Sequence, residues 1–285
     1  MFYLIQLLNG VQYGLLLFLL ASGLTLIFGI MGVINLAHGS FYMVGAYLAY
    51  WLAKITGSLW LAIPLGILIA LALGLVLEIT IFSRLYKRDH LYQVLLTFGL
   101  IMIFEELRSI FLGDDVHGVA VPALLDYSVP LTDTLSYPVY RLFITAVCLL
   151  LAGAMYWVIH KTRLGMMIRA GSSNREMAAS LGVDVPLLFA LVFAFGTVLA
   201  AFAGMIAAPI SSVFPGMGNQ ILILCFVIVV IGGIGSINGA MIASLAIGFA
   251  DTLGKVLAPE YSGIAVYLLM AVILLWRPQG LANKT

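Results

Sequence analysis

Two short clusters of polar residues interrupt long apolar stretches of this sequence. They carry amide, imidazole and hydroxyl side chains, namely Asn35, His38, Ser40, Ser211, Ser212 and Asn219. Such groups can hold a small polar solute by hydrogen bonds without trapping it. Polar side chains at membrane depth are costly unless they face protein or water, so they indicate a solute pathway. The alternative, that they form interhelical hydrogen bonds and hold a bent helix, stays open from the sequence.

The sequence gives little indication of metal binding, nucleotide binding or catalysis. His38 has no second histidine, cysteine or carboxylate at ligand spacing, so we predict no metal site. The glycine-rich run Gly232–Ala240 lacks the G-K-[ST] ending of a phosphate-binding loop. It is more typical of a tight turn with close helix contact. Without a protease or esterase motif either, the chain is predicted to have no catalytic site and no ATP site of its own.

A third polar segment, residues 161–186, concentrates charge in a chain with only 9% charged residues. Ser172 or Ser173 can cap a short helix here, with Glu176 in its first turn and Gly182 closing it. Met177, Ala178 and Leu181 fall on one face of that helix. The predicted helix, about 172–181, could lie on the membrane surface or insert into a partner protein. Its proposed partner-binding residues are Arg169, Ser172, Asn174, Arg175, Glu176, Ala178, Leu181 and Gly182.

The composition sets the class of protein that must position these residues. With 64% apolar residues among 285 and a mean hydropathy of +1.17, the chain exceeds what a soluble core could bury. A net charge of +1 argues against nucleic-acid binding. Because a single segment in lipid must satisfy its own backbone hydrogen bonds, we predict an all-α, polytopic transmembrane bundle that forms a single domain over residues 1–285.

About 20 apolar residues per crossing predict roughly nine spans. They lie near Val11–Ile30, Ser40–Ala53, Leu61–Phe82, Leu91–Leu112, Val139–Ile159, Leu187–Ala208, Asn219–Ile231, Gly239–Leu253 and Ile264–Trp276. The charged residues within spans pair along one helix face, as Glu105 with Arg108 and Asp251 with Lys255. Glu78 is expected to pair with Arg84 or to meet lipid headgroups.

The distribution of charge predicts the orientation in the membrane, because Lys and Arg near span ends stay in the cytoplasm. Basic residues occupy the loop with Lys87, the segment 161–186 and the tail with Lys284. The loop 113–138 contains aspartates, Asp133 among them, but no Lys or Arg. We therefore expect this loop and the N-terminus outside the cell and the C-terminus in the cytoplasm.

The two halves of the chain show the same kind of interruption. One span ends at Gly29 and runs into Gly32–Ser40, and a later span ends at Ala208 and runs into Pro209–Asn219. Interrupted hydrophobic segments at corresponding positions, in opposite orientation, indicate an inverted repeat with its pathway at the repeat interface. We place the approximate repeat halves at 11–112 and 187–276.

Four ordered motifs then suggest a family. These motifs are Ile34–Gly39, Leu164–Ala170 with its following Asn174, Gly232–Ser236 and Arg277–Leu281. Through them the chain resembles the permeases of branched-chain amino acid ABC importers, and more narrowly their LivH-type subunit. The resemblance implies a bacterial or archaeal cytoplasmic (inner) membrane protein. It also implies a LivM-type permease partner, two cytoplasmic ATPases that bind ATP and Mg, and an extracytoplasmic substrate-binding protein.

The resemblance further implies inward transport of branched-chain amino acids by alternating access, with the helix of segment 161–186 transmitting ATPase movement. It leaves open whether the permease pair is hetero- or homodimeric, and urea, short amides or aromatic acids stay alternative substrates. A stand-alone secondary transporter or channel is the rival function. It would need a coupling-ion site or a continuous polar lining, which the sequence does not clearly offer.

Overall fold

The computed structural model describes residues 2–86, 88–132, 135–257 and 259–282, and this part of the chain contains eleven α-helices and one β-hairpin. The helices are α1 (Phe2–Met31), α2 (His38–Thr56), α3 (Leu59–Thr80), α4 (His90–Leu112), α5 (Val139–Lys161), α6 (Arg163–Ser173), α7 (Arg175–Ser180), α8 (Val185–Ser211), α9 (Met217–Gly232), α10 (Ile237–Leu257) and α11 (Ser262–Trp276). Short 3₁₀ turns cover Phe82–Arg84 and Pro259–Tyr261. Lys87, Asp133 and Lys284, used above for orientation, lie outside the described residues.

Eight of the nine predicted apolar segments lie within one helix each, and the ninth, Leu61–Phe82, runs past the end of α3 at Thr80 into a 3₁₀ turn. Five helices are long and apolar enough to cross a membrane. Several helix boundaries differ from prediction, two of them notably. Helix α1 begins at Phe2 rather than Val11, because its first turns are apolar enough to continue the helix. Helix α8 continues past Ala208 through Pro209 to Ser211. Near this proline the buried Tyr140 hydroxyl donates to the Ile206 carbonyl at 2.9 Å, which joins α5 to α8.

Helix α1 occupies the centre of the bundle, where it packs against α5, α8, α9 and α10. Of the apolar stretch of α1 that could cross a membrane, 89% is buried, whereas the figure for the corresponding stretch of α3 is 28%. Small residues make these close contacts possible: a Cβ added to Gly14 would lie 2.9 Å from the Cα of Leu245 on α10. In the same way, Gly45 of α2 lies directly against the backbone of Ala201 on α8. An apolar helix buried on all sides is the expected centre of a membrane bundle.

Helices α1 and α2 are separated by residues 32–37, hereafter the first break. Gly32 has a positive φ of 62°, and α2 begins at His38, whose Nε2 lies 3.0 Å from the carbonyl of Leu20. At 1.5 Å per residue, Leu20 lies roughly 17 Å back along α1 from Met31. The first break therefore runs back along α1, and α2 begins beside the middle of that helix.

Residues 212–216, hereafter the second break, separate α8 from α9. The first turns of α9 and α2 meet, because a Cβ on Gly218 would lie 2.9 Å from the carbonyl oxygen of Gly39. Each of these glycines is the second residue of its helix. The N-terminal ends of two helices that both follow a break are thus in direct contact.

The loop 113–138, hereafter the outer loop, folds into structure that the all-α prediction missed. Strands β1 (Ser128–Thr132) and β2 (Leu135–Pro138) form an antiparallel hairpin. Ahead of the hairpin, the backbone of His117 pairs with that of Val213 through two hydrogen bonds of 2.8 Å. The two hairpin strands, Ser-Val-Pro-Leu-Thr and Leu-Ser-Tyr-Pro, do alternate but are short. The pairing of His117 with Val213 has no local signal, because it joins residues remote in sequence.

Candidate functional site

Asn35 and His38 are both fully buried at the first break. Asn35 Oδ1 accepts from the backbone N–H of Ala37 at 3.1 Å, which turns the chain into α2. Since a carbonyl oxygen only accepts, His38 Nε2 must carry the proton donated to Leu20. Asn35 Nδ2 and His38 Nδ1 have no hydrogen-bond partner among the described residues. The first break therefore offers one buried donor and, in the neutral imidazole, one buried acceptor.

Ser40 is buried close to the contact between Gly39 and Gly218. Neither α2 nor α9 has a side-chain hydrogen bond at its N-terminus. Helix N-termini carry partial positive charge, so two uncapped ends in contact make a region that favours negative charge. Asn219, in the first turn of α9, is exposed.

The second break is more open than the first. Ser211 is exposed and donates to the Ala207 carbonyl at 3.0 Å, while Ser212 is half-buried. Ser212 is the one described non-glycine residue with a positive φ, 56° at ψ 168°, a conformation that favours glycine. His117, whose backbone pairs with Val213 of this break, stacks its ring on Tyr50 of α2 with centroids 4.1 Å apart, so the outer loop connects the second break to α2.

The predicted pathway residues thus form two groups rather than one. Asn35, His38 and Ser40 are buried together at the start of α2, whereas Ser211, Ser212 and Asn219 are partly or fully exposed around the second break. The Gly39–Gly218 contact links the groups. Ser211 also lines a polar cavity described below.

The segment 161–186 differs from its predicted form, because it holds two helices instead of one helix from Ser172 to Leu181. Ser172 and Ser173 end α6, and the cap of α7 is Asn174, whose Oδ1 accepts from Met177 N at 2.9 Å. Asn174 is favoured here because its backbone is extended, as an N-cap requires. Gly182, with φ 86°, follows the end of α7 as predicted.

Two of the three arginines of this segment, Arg169 and Arg175, contact the bundle. Arg169 donates to the Ile159 carbonyl at the end of α5. The Arg175 guanidinium lies 5.3 Å from the centre of the Phe189 ring, and a Cβ on Gly32 would be 2.9 Å from its Nη2. The start of α7 therefore touches the residue at which the first break begins.

The side of α7 that faces away from the bundle carries exposed apolar side chains. Met177 is 63% and Leu181 79% exposed, whereas Ala178 is buried against the bundle. Glu176, Ser172 and Asn174 are also exposed. Two large apolar side chains are thus exposed among polar neighbours on this segment.

The predicted ion pairs are confirmed for Arg108 with Glu105, at 3.3 Å, and for Lys255 with Asp251, at 2.6 Å. The expected pairing of Glu78 with Arg84 is wrong. Buried Glu78 accepts from the Tyr86 hydroxyl at 2.5 Å, while Arg84 donates to the Thr80 carbonyl. Burial, and then the neighbouring Glu78 carboxylate, raise the pKa of Tyr86 above its ordinary range, so its hydroxyl stays protonated as a donor.

The family model for the branched-chain amino acid transport system permease component matches residues 6–274 of the chain. The chain belongs to this family. It is 29% identical to the high-affinity branched-chain amino acid transport system permease protein BraD of Pseudomonas aeruginosa, over 99% of this chain and 96% of the relative. It is 30% identical to the corresponding LivH protein of Escherichia coli K12, over 100% and 96% of the two chains. The E. coli LivM permease is 28% identical, over 94% and 68%.

The structure also brings together residues that the sequence patterns did not predict as part of a site. Four residues of this kind contribute to buried or polar contacts between elements, namely Arg141, Asn9, Tyr42 and His117. Asn9 had a detectable signal, because Gln6, Asn9 and Gln12 form a polar stripe at three-residue spacing on α1. His117 had none, since its role depends on a loop contacting a helix break nearly a hundred residues away.

Proposed function

We propose that this chain is the transmembrane permease subunit of an ATP-binding-cassette importer that moves branched-chain amino acids inward. The family match over residues 6–274 carries this proposal. The pathway opens by alternating access, and the energy comes from two partner ATPases in the cytoplasm. A LivM-type second permease and an extracytoplasmic binding protein complete the complex. This chain holds no catalytic residue in the scheme.

The two breaks supply the moving part of the proposed pathway. Helices α2 and α9 start at the breaks, and their N-termini touch at Gly39 and Gly218. Corresponding positions in contact are what an inverted repeat places at its two-fold axis, which supports repeat halves near 11–112 and 187–276. The same geometry fits about nine crossings, with the outer loop outside the cell and the C-terminus in the cytoplasm.

A zwitterionic amino acid needs weak partners for both of its charges. Asn35 Nδ2 can donate to a carboxylate, and neutral His38 Nδ1 can accept from an ammonium group; both atoms are unpartnered among the described residues. A buried polar group without a partner costs about 1–3 kcal/mol, so a passing solute is stabilised there without being trapped. The uncapped helix ends add attraction for the carboxylate.

The segment 161–186 transmits ATPase movement in this proposal. Leu181 and Met177 offer an exposed apolar surface to the ATPase, and Arg175 contacts Gly32 at the first break. A displacement of α7 therefore acts directly on the point where α1 ends. Arg169, bound to the end of α5, anchors the segment.

The test uses the chain reconstituted with its second permease, ATPases and binding protein. Leu181→Glu places a charge on the exposed face of α7 and should reduce ATP-driven L-leucine uptake by at least about tenfold, as loss of an interface anchor does. Leu124→Glu, at a similarly exposed leucine of the outer loop, is the matched control and should leave uptake unchanged. Unchanged uptake and ATPase stimulation in Leu181→Glu would remove α7 from the mechanism. Leucine pumping by this chain alone, driven by an ion gradient, would contradict the importer proposal as a whole.

A further inference from the structure

A polar cavity of about 340 Å³ lies between α1, α5, α8 and α10. Its polar lining includes Asn9, Tyr42, Arg141, Ser211, Asp251 and Lys255. None of these residues except Ser211 belongs to the pathway predicted from the sequence. The volume falls in the range of small-molecule sites, about 300–1,000 Å³.

Arg141, in the first turn of α5, provides a positioned cation. Its Nη1 donates to Asn9 Oδ1 at 3.0 Å, and the same oxygen accepts from the Tyr137 hydroxyl at 3.1 Å. The described residues include no carboxylate within ion-pair distance of Arg141. A guanidinium has five N–H donors in a fixed fork, so it retains donors that match a carboxylate.

Asp251, on α10, provides the opposite charge. Its Oδ2 accepts from Lys255 Nζ at 2.6 Å, and its side chain is 15% exposed against 60% for Lys255. The carboxylate is therefore the inner member of the pair. Its second oxygen is available to a ligand ammonium group.

The remaining wall is apolar and suits an aliphatic side chain. Leu16 of α1 and Ala207 and Ile210 of α8 line it. A cavity with a cation, a carboxylate and an aliphatic wall matches the three chemical parts of a small aliphatic amino acid.

The cavity leads from the helix ends towards the middle of the bundle. Arg141 begins α5 and Lys255 lies in the last turn of α10, whereas Tyr42 is in the second turn of α2, close to where the first break ends. The Tyr42 hydroxyl lies beside Ser211 at the second break. A solute bound between Arg141 and Asp251 is thus held next to both breaks.

We propose that this cavity is a binding site for an aliphatic α-amino acid, with its carboxylate on Arg141, its ammonium group on Asp251 and its side chain against Leu16 and Ile210. The choice of an aliphatic amino acid as the ligand rests on the proposed function of the chain as an amino acid importer subunit. The proposal places an initial binding site within this one chain, on the outer side of the breaks. Arg141 and Asp251 determine specificity there, since a ligand that lacks the carboxylate loses its partner on Arg141 and one that lacks the ammonium group loses its partner on Asp251.

The experiment measures binding of radiolabelled L-leucine to the full chain in lipid nanodiscs by equilibrium dialysis, without ATPases or binding protein. We expect saturable binding that L-leucinamide and 3-methylbutylamine, which lack the carboxylate, compete for at least tenfold less well. Arg141→Gln should weaken leucine binding at least tenfold and abolish the preference for leucine over leucinamide. Arg163→Gln, at an exposed arginine of α6, is the matched control and should bind as the unmodified chain does.

Two further variants keep the test decisive. Asp251→Asn should weaken competition by 3-methylbutylamine but spare that by 4-methylpentanoate, which lacks the ammonium group. If Arg141→Gln does not fold, Arg141→Lys keeps the charge without the fork and should bind leucine with intermediate affinity. A purely structural role for Arg141 would lower the unfolding temperature without changing the preference between leucine and leucinamide, and that result overturns the proposal.

Absence of saturable binding at millimolar leucine also overturns it. The proposed function would survive that result if the complete transporter still imports leucine with ATP. Conversely, a complete transporter that imports no branched-chain amino acid would contradict the proposed function itself.

Discussion

The first and second breaks interrupt the chain in similar ways but are held by different means. The first break is held from within, by Asn35 and His38, both fully buried and bonded to nearby backbone. The second is held from outside, by the backbone pairing of Val213 with His117. One break thus depends on its own side chains, whereas the other depends on contacts with a separate loop.

The break that depends on the outer loop is also the strained one. Ser212 has a positive φ of 56°, whereas the corresponding turn at the first break uses Gly32, for which a positive φ is unstrained. We therefore expect the second break to rearrange more easily than the first.

Substitution at the contact shared by the two breaks should destabilise the bundle clearly. Gly39→Ala would place its Cβ 2.7 Å from that of Leu222 and against the Gly218 carbonyl. We expect a loss of about 1–3 kcal/mol in stability from overpacking, seen as a lower thermal unfolding midpoint of the purified chain. Gly99→Ala, where a Cβ meets nothing within 4 Å, should leave the midpoint unchanged or raise it. Equal behaviour of the two variants would argue against close packing at Gly39.

The two histidines that hold the breaks should differ in their contribution to stability. His38→Ala leaves a buried cavity and removes the bond to Leu20, so we expect a loss of about 2–4 kcal/mol. His117→Ala keeps the backbone pairing with Val213 but loses the ring stacking and the bond from Nε2 to the Leu112 carbonyl, together about 1–2 kcal/mol for this partly exposed residue. Chemical unfolding in detergent measures both. A larger effect at His117 would reverse our account of how the breaks are held.

Relief of strain at the second break should give a smaller effect of opposite sign. Ser212→Gly removes the unfavourable positive φ, and we expect a gain of up to about 1 kcal/mol, partly offset by the flexibility of glycine when unfolded. Ser211→Gly, one residue earlier and within α8, should instead destabilise by about 0.5–1 kcal/mol. Thermal unfolding of the two variants shows whether each one gains or loses stability. A loss of stability in Ser212→Gly would show that no strain is present at this residue.

The smallest expected effect concerns pH and the outer loop. Asp114 accepts from Arg108 at 2.8 Å and from Ser109 at 3.0 Å, and these hydrogen bonds lower the pKa of its carboxyl. A lowered folded-state pKa means that the interaction stabilises the loop above the ordinary aspartate pKa of about 4. That contribution is lost as pH falls through the lowered value.

Asp114→Asn should therefore speed amide hydrogen exchange in residues 113–121 at neutral pH, and the difference from the unmodified chain should shrink in acid. Asp115→Asn, at an exposed neighbour, is the control and should not change exchange. Equal protection in both variants at neutral pH would mean that Asp114 does not hold the loop.

The sequence was sufficient to predict the apolar helices, because burial in lipid requires long apolar segments whatever their partners. It also predicted the pairs Glu105–Arg108 and Asp251–Lys255, which depend only on helical spacing. The division of segment 161–186 at Asn174 was missed because serine and asparagine both cap helices, and local sequence does not decide between them.

Contacts between distant elements were beyond prediction from spacing. The pairing of His117 with Val213, the hydrogen bond from Arg141 to Asn9 and the approach of Arg175 to Gly32 each join residues remote in sequence. Such contacts follow from how the helices pack, which no single segment encodes.

The central position of α1 has a consequence for biogenesis. This helix leaves the ribosome well before its main neighbours α8 and α10, which are synthesised more than 150 residues later. Until α8 and α10 are inserted, the surfaces of α1 that will contact them face lipid acyl chains. Because α1 is apolar on every side, this exposure to lipid costs little free energy. The same composition therefore suits both the newly inserted helix and the assembled bundle.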